Sequence, residues 1–275
     1  MDEVPESVLP YIIGWVVIVT IVLGILLPFV VYVPVIPVFA YQIAIGLPAG
    51  GYGSNVQFVK TETTNPEGLL VWYTFENDFP HSHQVYDNSW NGNNAVVQGL
   101  WLTPGDAVEG NQSLDLSGPG VLAAAGNPAS GKQNVSFSVW FRIADVTNNY
   151  VLASAAETGS PRTGWSISTR THELWDDDGK PVHTMGFERY SLAPDTWVHK
   201  VIVYNGTRVG LFIDGEEYGN WPATNKPLGA GTAMTIGSWQ PFGRNFAGQI
   251  DDFRIYDRAL SADEVRELYR TASRR

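Results

Sequence analysis

VSFSVWFRIA, residues 135–144, decides the fold class. Val135, Phe137, Val139, Phe141 and Ile143 fall on one side of an extended chain, and Ser136, Ser138, Trp140 and Arg142 on the other. A period of two over nine residues is the pattern of a half-buried β-strand. Downstream, VHKVIVYNGTRVGLFIDGEEYG (198–219) reads as strands broken at Asn205-Gly206 and Asp214-Gly215. Both dipeptides favour the φ > 0 turns that join hairpins. MTIGSW (234–239) and FAGQIDDFRIYDR (246–258) supply two more strands, and GLLVWYTFE (68–76) supplies one upstream. Only the end is helical. Ser261 and Glu264 form a capping-box pattern, and Val265, Leu268 and Tyr269 share one helical face. Ten to fourteen short strands over about 200 residues predict an all-β, two-sheet jelly-roll sandwich with a short C-terminal helix.

The segment ahead of this body is chemically different. The 275 residues carry 28 acids and 17 bases, a net charge of −11, and are 44% hydrophobic and 16% charged. Before Lys60, however, there are only Asp2, Glu3 and Glu6 and no base, and residues 9–46 hold no charge at all. The mean hydropathy of −0.08 therefore averages an apolar leader with an acidic, aromatic-rich body. Residues 11–33 exceed the ~20 needed to span a bilayer core. The acidic MDEVPES start and the length of the apolar run argue against a cleaved signal peptide and for a retained anchor. As one helix, 9–46 would reach about 57 Å, too far for a single span. Pro34 and Pro37 favour extended backbone. The expected organisation is thus an anchor over 1–46 (a helix at about 8–33, then an apolar extended stretch), a linker over 47–65, and the jelly roll over 66–275. Unpaired backbone cannot face lipid, so the extended stretch calls for partner membrane subunits, a homo-oligomer or the protein's own body.

Composition excludes several functions. An acidic chain without a basic cluster does not bind nucleic acid. The absence of Cys removes disulfides, thiolate nucleophiles and Cys-based zinc sites. The E-x-D-x-E and E-x-D-x-x-E patterns of a sandwich glycosidase do not occur, and Asp251 and Asp252, being adjacent, are expected on opposite strand faces. No enzyme is expected.

Several motifs resemble the laminin-G-like, concanavalin-A-like jelly-roll family. GLLVWYTFEND and YDNSWNGNNAVVQG (86–99) are similar to its first strand and the D-x-S-x-N-G-N-x-G loop that follows. NQSLDLSG (111–118) resembles its small–Leu–x–Phe–x–Gly strand, with Leu116 in the Phe position. VSFSVWFRI, the hairpins of 195–219 and, above all, GQIDDFRIYDRALSADEVRELY (248–269) match its later elements. The likeness covers about 67–271. It implies the fold; members bind sugars or proteins, or only space other domains.

The loop 87–94 is dense in short oxygen-bearing side chains, which suits either a Ca²⁺ ion or an Asx turn bonded to its own backbone. The resemblance implies a structural Ca²⁺ held by Asp87, Asn91 and Asp251, with Asn93 and Asp252 as further ligands. The acidic run 173–178 reads as a solvated hairpin tip or a second cation site, and His81 with His83 as a loop or a metal pair. Trp90, Trp175 and Trp239 are the ligand-stacking candidates, set against core packing. Asn111, Asn134 and Asn205 are glycosylation sequons if the body lies outside the cytoplasm. The expected function is a single-pass, membrane-anchored adhesion module that recognises glycan or protein beyond the membrane. The alternative is a structural subunit of a membrane, envelope or virion assembly.

Overall fold

The computed structural model describes residues 66–76, 84–98, 107–117, 121–157, 159–184, 188–239 and 246–272, with the backbone of three earlier strands. Two units emerge, Met1–Thr64 and Asn65–Arg275. In the first, β1 (Val30–Val33), β2 (Tyr41–Ile45) and β3 (Val56–Lys60) pair antiparallel in that order. This corrects the expected helix at its end. VVYV is β-branched and aromatic, and Pro28 and Pro34 bracket it, so it extends. Likewise the linker 47–65 contains β3. The rest of the expected helix lies outside the described residues. Among the described residues no helix is long and apolar enough to cross a membrane.

The second unit is a two-sheet sandwich. Its elements are β4 (Leu69–Tyr73), β5 (Gln84–Val85), β6 (Ala95–Gln98), β7 (Leu114–Asp115), β8 (Val121–Ala124), β9 (Val135–Ile143), β10 (Val151–Ser154), β11 (Gly164–Ser168), β12 (His172–Trp175), β13 (Pro181–Thr184), β14 (Val198–Tyr204), β15 (Arg208–Ile213), β16 (Glu216–Pro222), β17 (Thr235–Ile236), β18 (Gly248–Tyr256) and α1 (Ala262–Ala272). One sheet runs β16-β15-β14-β9-β18-β4, with β7 on β18; the other runs β13-β12-β11-β10-β17-β8-β6-β5. The hairpins turn where the sequence places them. Asp214 and Gly215 both have positive φ, and Asn205 Oδ1 accepts the Thr207 and Arg208 N–H groups.

The core between the sheets includes Val71, Tyr73, Val135, Phe137, Val139, Phe141, Trp165, Ile202, Tyr204, Phe253 and Ile255. These are the inward positions of the alternating strands. The outward face of β9 departs from the half-buried expectation, because Ser136, Ser138 and Trp140 are buried too. The C-terminal helix causes this. Ser261 and Glu264 cap it reciprocally, and it brings Val265 into a second cluster with Leu69, Val201, Val203, Phe212 and Tyr256. Tyr269 stacks on Trp140 at 5.4 Å between ring centroids.

Candidate functional site

Residues 86–94 join β5 to β6 of one sheet and lean on β4, the edge strand of the other. Asp87 organises them. Its Oδ1 accepts the backbone N–H groups of Trp72 (3.0 Å) and Ser89 (2.9 Å), and its Oδ2 that of Asn93 (3.0 Å). Its own N–H donates to Asn94 Oδ1. The amides of Asn91 and Asn93 and the hydroxyl of Ser89 all donate to the Leu70 carbonyl, and Asn91 reaches Leu69 as well. Tyr73 donates its hydroxyl to Asn93 O. The loop is therefore built as the Asx-turn reading requires, with its short polar side chains satisfying its own backbone and that of β4.

Asp251 and Asp252 have a parallel role a strand away. The ladder between β18 and β9 slips between Asp251 and Arg254, and Asp252 sits at φ 45°. This bulge breaks the alternation, so the expected division onto opposite faces does not occur: both carboxylates lie on the face that carries Trp140, Trp72 and Arg254, and each is essentially fully buried. Asp251 Oδ2 accepts the N–H groups of Val108 and Glu109, and Oδ1 that of Asp252. Burial pushes its pKa up to about 7 against the pull of these bonds. Asp252 Oδ1 accepts from Trp72 Nε1 (2.7 Å) and Arg254 Nε (2.8 Å). Glu76 completes the strapping by accepting the N–H groups of Asn111 and Gln112. Gly110 is required beside it, for its φ is 71° and a Cβ would stand 2.2 Å from that carboxyl.

These bonds bear on the metal expectation. Asp87 and Asp251 each accept three backbone donors, and Asn91 and Asn93 point amide nitrogens at carbonyls. Among the described residues no group of three or more His, Cys, Asp or Glu converges to hold a metal ion. The donor set does not fit the Ca²⁺ that the resemblance implies. Of residues 173–178, the first three belong to β12 and only 176–178 turn toward β13; Asp176 is buried rather than solvated, and Asp176 and Asp177 accept the N–H groups of Lys180 and Ala230. His81 and His83 lie outside the described residues.

The three tryptophan candidates separate. Trp175 and Trp239 are 5% and 7% exposed and pack with Val151 and Ala156, under the guanidinium of Arg162 at 5.0 and 4.6 Å. Sequence placed them near loops, but the fold closes over those loops, which corrects their assignment as stacking residues. Trp90 is 60% exposed and held at φ 66°, with Tyr86 and Val96 exposed nearby. A bulky residue in the left-handed region is strained by about 1–3 kcal/mol and persists only where its surroundings impose it. The Asp87 network is that imposition. Asn111, Asn134 and Asn205 are all exposed.

A family model described as concanavalin A-like lectin/glucanases superfamily (Laminin_G_3) matches residues 116–266, more than half of the chain. The chain belongs to that superfamily. This membership accounts for the sheet order, and structural similarity agrees. The receptor-binding domain of botulinum neurotoxin D aligns with a TM-score of 0.56 at 19% identity, covering 74% of this chain and 52% of that one. The binding domain of Paraclostridial Mosquitocidal Protein 1 gives 0.57 at 18%, covering 74% and 52%. A botulinum neurotoxin serotype D ligand-binding domain in complex with N-acetylneuraminic acid gives 0.56 at 20%, covering 74% and 51%. The superfamily member described here thus spans about half the length of those structures, and at such identities the likeness is one of fold.

Sequence reading missed a polar cluster inside the sandwich. Lys200, Glu188 and His172 meet in the core, and His172 stacks on His183, which also faces Trp221. The Lys200 position was legible, since it alternates inward with Val198, Ile202 and Tyr204. Its partner on a distant segment was not.

Proposed function

We propose that the chain is a membrane-tethered, non-catalytic, lectin-like module that binds glycan on the face of Trp90. The single observation behind this is a mostly exposed indole held in a strained backbone conformation by a loop whose own hydrogen bonds are closed. Strain at an exposed aromatic stabilises nothing in the fold, and a preorganised ring loses little freedom when a ligand stacks on it. Amides and an aromatic face, with the one local acid buried, suit a neutral sugar ring. The superfamily and its toxin neighbours, one of them crystallised with a sugar acid, are consistent with such a role. The uncharged run 9–46 provides the tether. The test is a glycan array probed with the detergent-extracted full chain and its W90A variant. Binding to a defined glycan set that W90A loses supports the reading; an identical profile for both proteins, or none for either, overturns it.

A further inference from the structure

The chain has two Asn-Gly pairs, Asn91-Gly92 in the Trp90 loop and Asn205-Gly206 in the β14–β15 hairpin. Such a pair can react with itself, because glycine has no Cβ to shield its nitrogen from the preceding carboxamide. The fold treats the two pairs differently. At Asn205 the carboxamide oxygen accepts from the Thr207 N–H (3.1 Å), the Thr207 hydroxyl (3.1 Å) and the Arg208 N–H (2.9 Å). The Asn205 N–H donates to the Arg208 carbonyl, and Gly206 is buried, with Asn225 Oδ1 2.9 Å from where a Cβ would stand. Carboxamide and glycine nitrogen are both locked into the hairpin.

At the other pair both residues are exposed, and nothing lies within 4 Å of where a Gly92 Cβ would stand. Among the described residues the Gly92 N–H donates to nothing and Asn91 Oδ1 accepts nothing. Only Asn91 Nδ2 is held, donating to the carbonyls of Leu69 (2.8 Å) and Leu70 (3.2 Å) and to Ser89 Oγ (3.0 Å). The nucleophile is therefore open to base, and the oxygen that takes the charge of the intermediate is open to water.

We infer that Asn91 is a self-modification site whose conversion releases the Trp90 ring. Base removes the Gly92 N–H proton, the nitrogen bonds to Asn91 Cγ, and Nδ2 leaves as ammonia with a proton from water. One water then opens the succinimide, at Cγ to give aspartate or at the main-chain carbonyl carbon to give isoaspartate. Neither carboxylate can donate to Leu69 O and Leu70 O. Asp87 grips the N–H groups of Ser89 and Asn93, so the stretch between them is pinned at both ends. Isoaspartate lengthens that stretch by one main-chain atom, and the slack lets Trp90 leave its φ of 66°. The loss of glycan binding that follows rests on the proposed role of Trp90; the modification does not.

The experiment holds the full chain in detergent at mildly alkaline pH and follows it by peptide mass spectrometry and hydrogen exchange. Acid at position 91 should accumulate at least roughly tenfold faster than at 205, since base reaches Gly206 only through local opening of the hairpin. N91Q, which would have to close a larger ring, should stay intact. The amides of 89–93 should exchange severalfold faster in the aged protein than in the fresh one, and at equal rates in aged and fresh N91Q. Asn91 converting no faster than Asn205, or a converted loop that exchanges like the fresh one, overturns the inference. On the glycan array, aged protein should lose signal in step with conversion, while aged N91Q keeps that of fresh N91Q. Undiminished binding by fully converted protein overturns the release of Trp90. Fresh protein that binds no glycan sinks the role of Trp90 alone, because mass and exchange read the modification without ligand.

Discussion

Lys200 Nζ lies 2.6 Å from Glu188 Oε2, and neither side chain is exposed. Lys200 rises from β14 of one sheet, while the other oxygen of Glu188 binds His172 Nδ1 at 2.7 Å on β12 of the opposite sheet. Lys200 also donates to the Ser168 carbonyl. Burial opposes the charge on Glu188, but Lys200 and His172 outweigh it and keep its carboxyl below the ordinary value. Removing one member of a buried pair leaves an uncompensated charge, at a cost of about 3–5 kcal/mol, whereas replacing both by apolar groups is often close to neutral. K200M is therefore expected to lower the urea midpoint strongly, and K200M/E188L to recover a substantial part of the loss. A double variant as unstable as the single one would contradict this account.

Trp90 should show stability and binding in opposition. W90G removes the Cβ that makes φ 66° costly, so the folded state should gain up to about 1 kcal/mol. The same change removes the stacking surface. Chemical denaturation and the glycan array, run on one preparation, check both halves; a destabilised W90G would mean that the indole packs more than its exposure indicates.

Asp87 is the keystone of its loop. D87A orphans the N–H groups of Trp72, Ser89 and Asn93. Buried donors without partners cost about 1–3 kcal/mol each, and water entering the opened loop will relieve part of that, so a loss near 3 kcal/mol is expected. Because three protein donors already engage each of the Asp87 and Asp251 carboxylates, adding Ca²⁺ or a chelator should leave the melting temperature of the full chain unchanged. A rise of several degrees with Ca²⁺ would restore the metal reading.

The pH dependence has two opposed parts. Burial pushes His172 down to about 4 and His199 down to about 3 from an ordinary 6.5. The unfolded chain then takes up protons near 6.5 that the fold refuses, so their contribution is complete above 6.5 and lost as pH falls toward 3–4. Asp251 behaves inversely. Its pKa is raised from 3.8 to about 7, so its contribution is present below 3.8 and lost as pH rises through 7. Between pH 7 and 4.5 the protein should lose stability on acidification, and D251N should lose it more steeply, since the opposing Asp251 contribution is gone. Thermal melts at matched ionic strength decide this, and equal slopes would refute it.

Much of the sandwich was legible because its signals are local. The alternation in 135–143, the turns at Asn205-Gly206 and Asp214-Gly215, and the Ser261–Glu264 cap each depend on residues within a few positions. The loop 87–94 was legible in composition but not in purpose, since oxygen-rich side chains serve a cation and a backbone equally well. Which they serve depended on β4: three of the loop's donors converge on Leu70 O, a carbonyl with no sequence signature.

By itself, then, the sequence determined the main strands of the sandwich, its hairpin turns, the terminal helix and the family, because backbone preference and alternation act between near neighbours. Tertiary structure alone decided the fate of the side chains. Asp251 receives N–H groups 142 and 143 positions away, Trp175 and Trp239 disappear beneath Arg162, and Arg170 and Arg189 come to share one cavity. Burial and electrostatic pairing are set by what the folded chain brings within a few ångströms, and no local pattern encodes that distance.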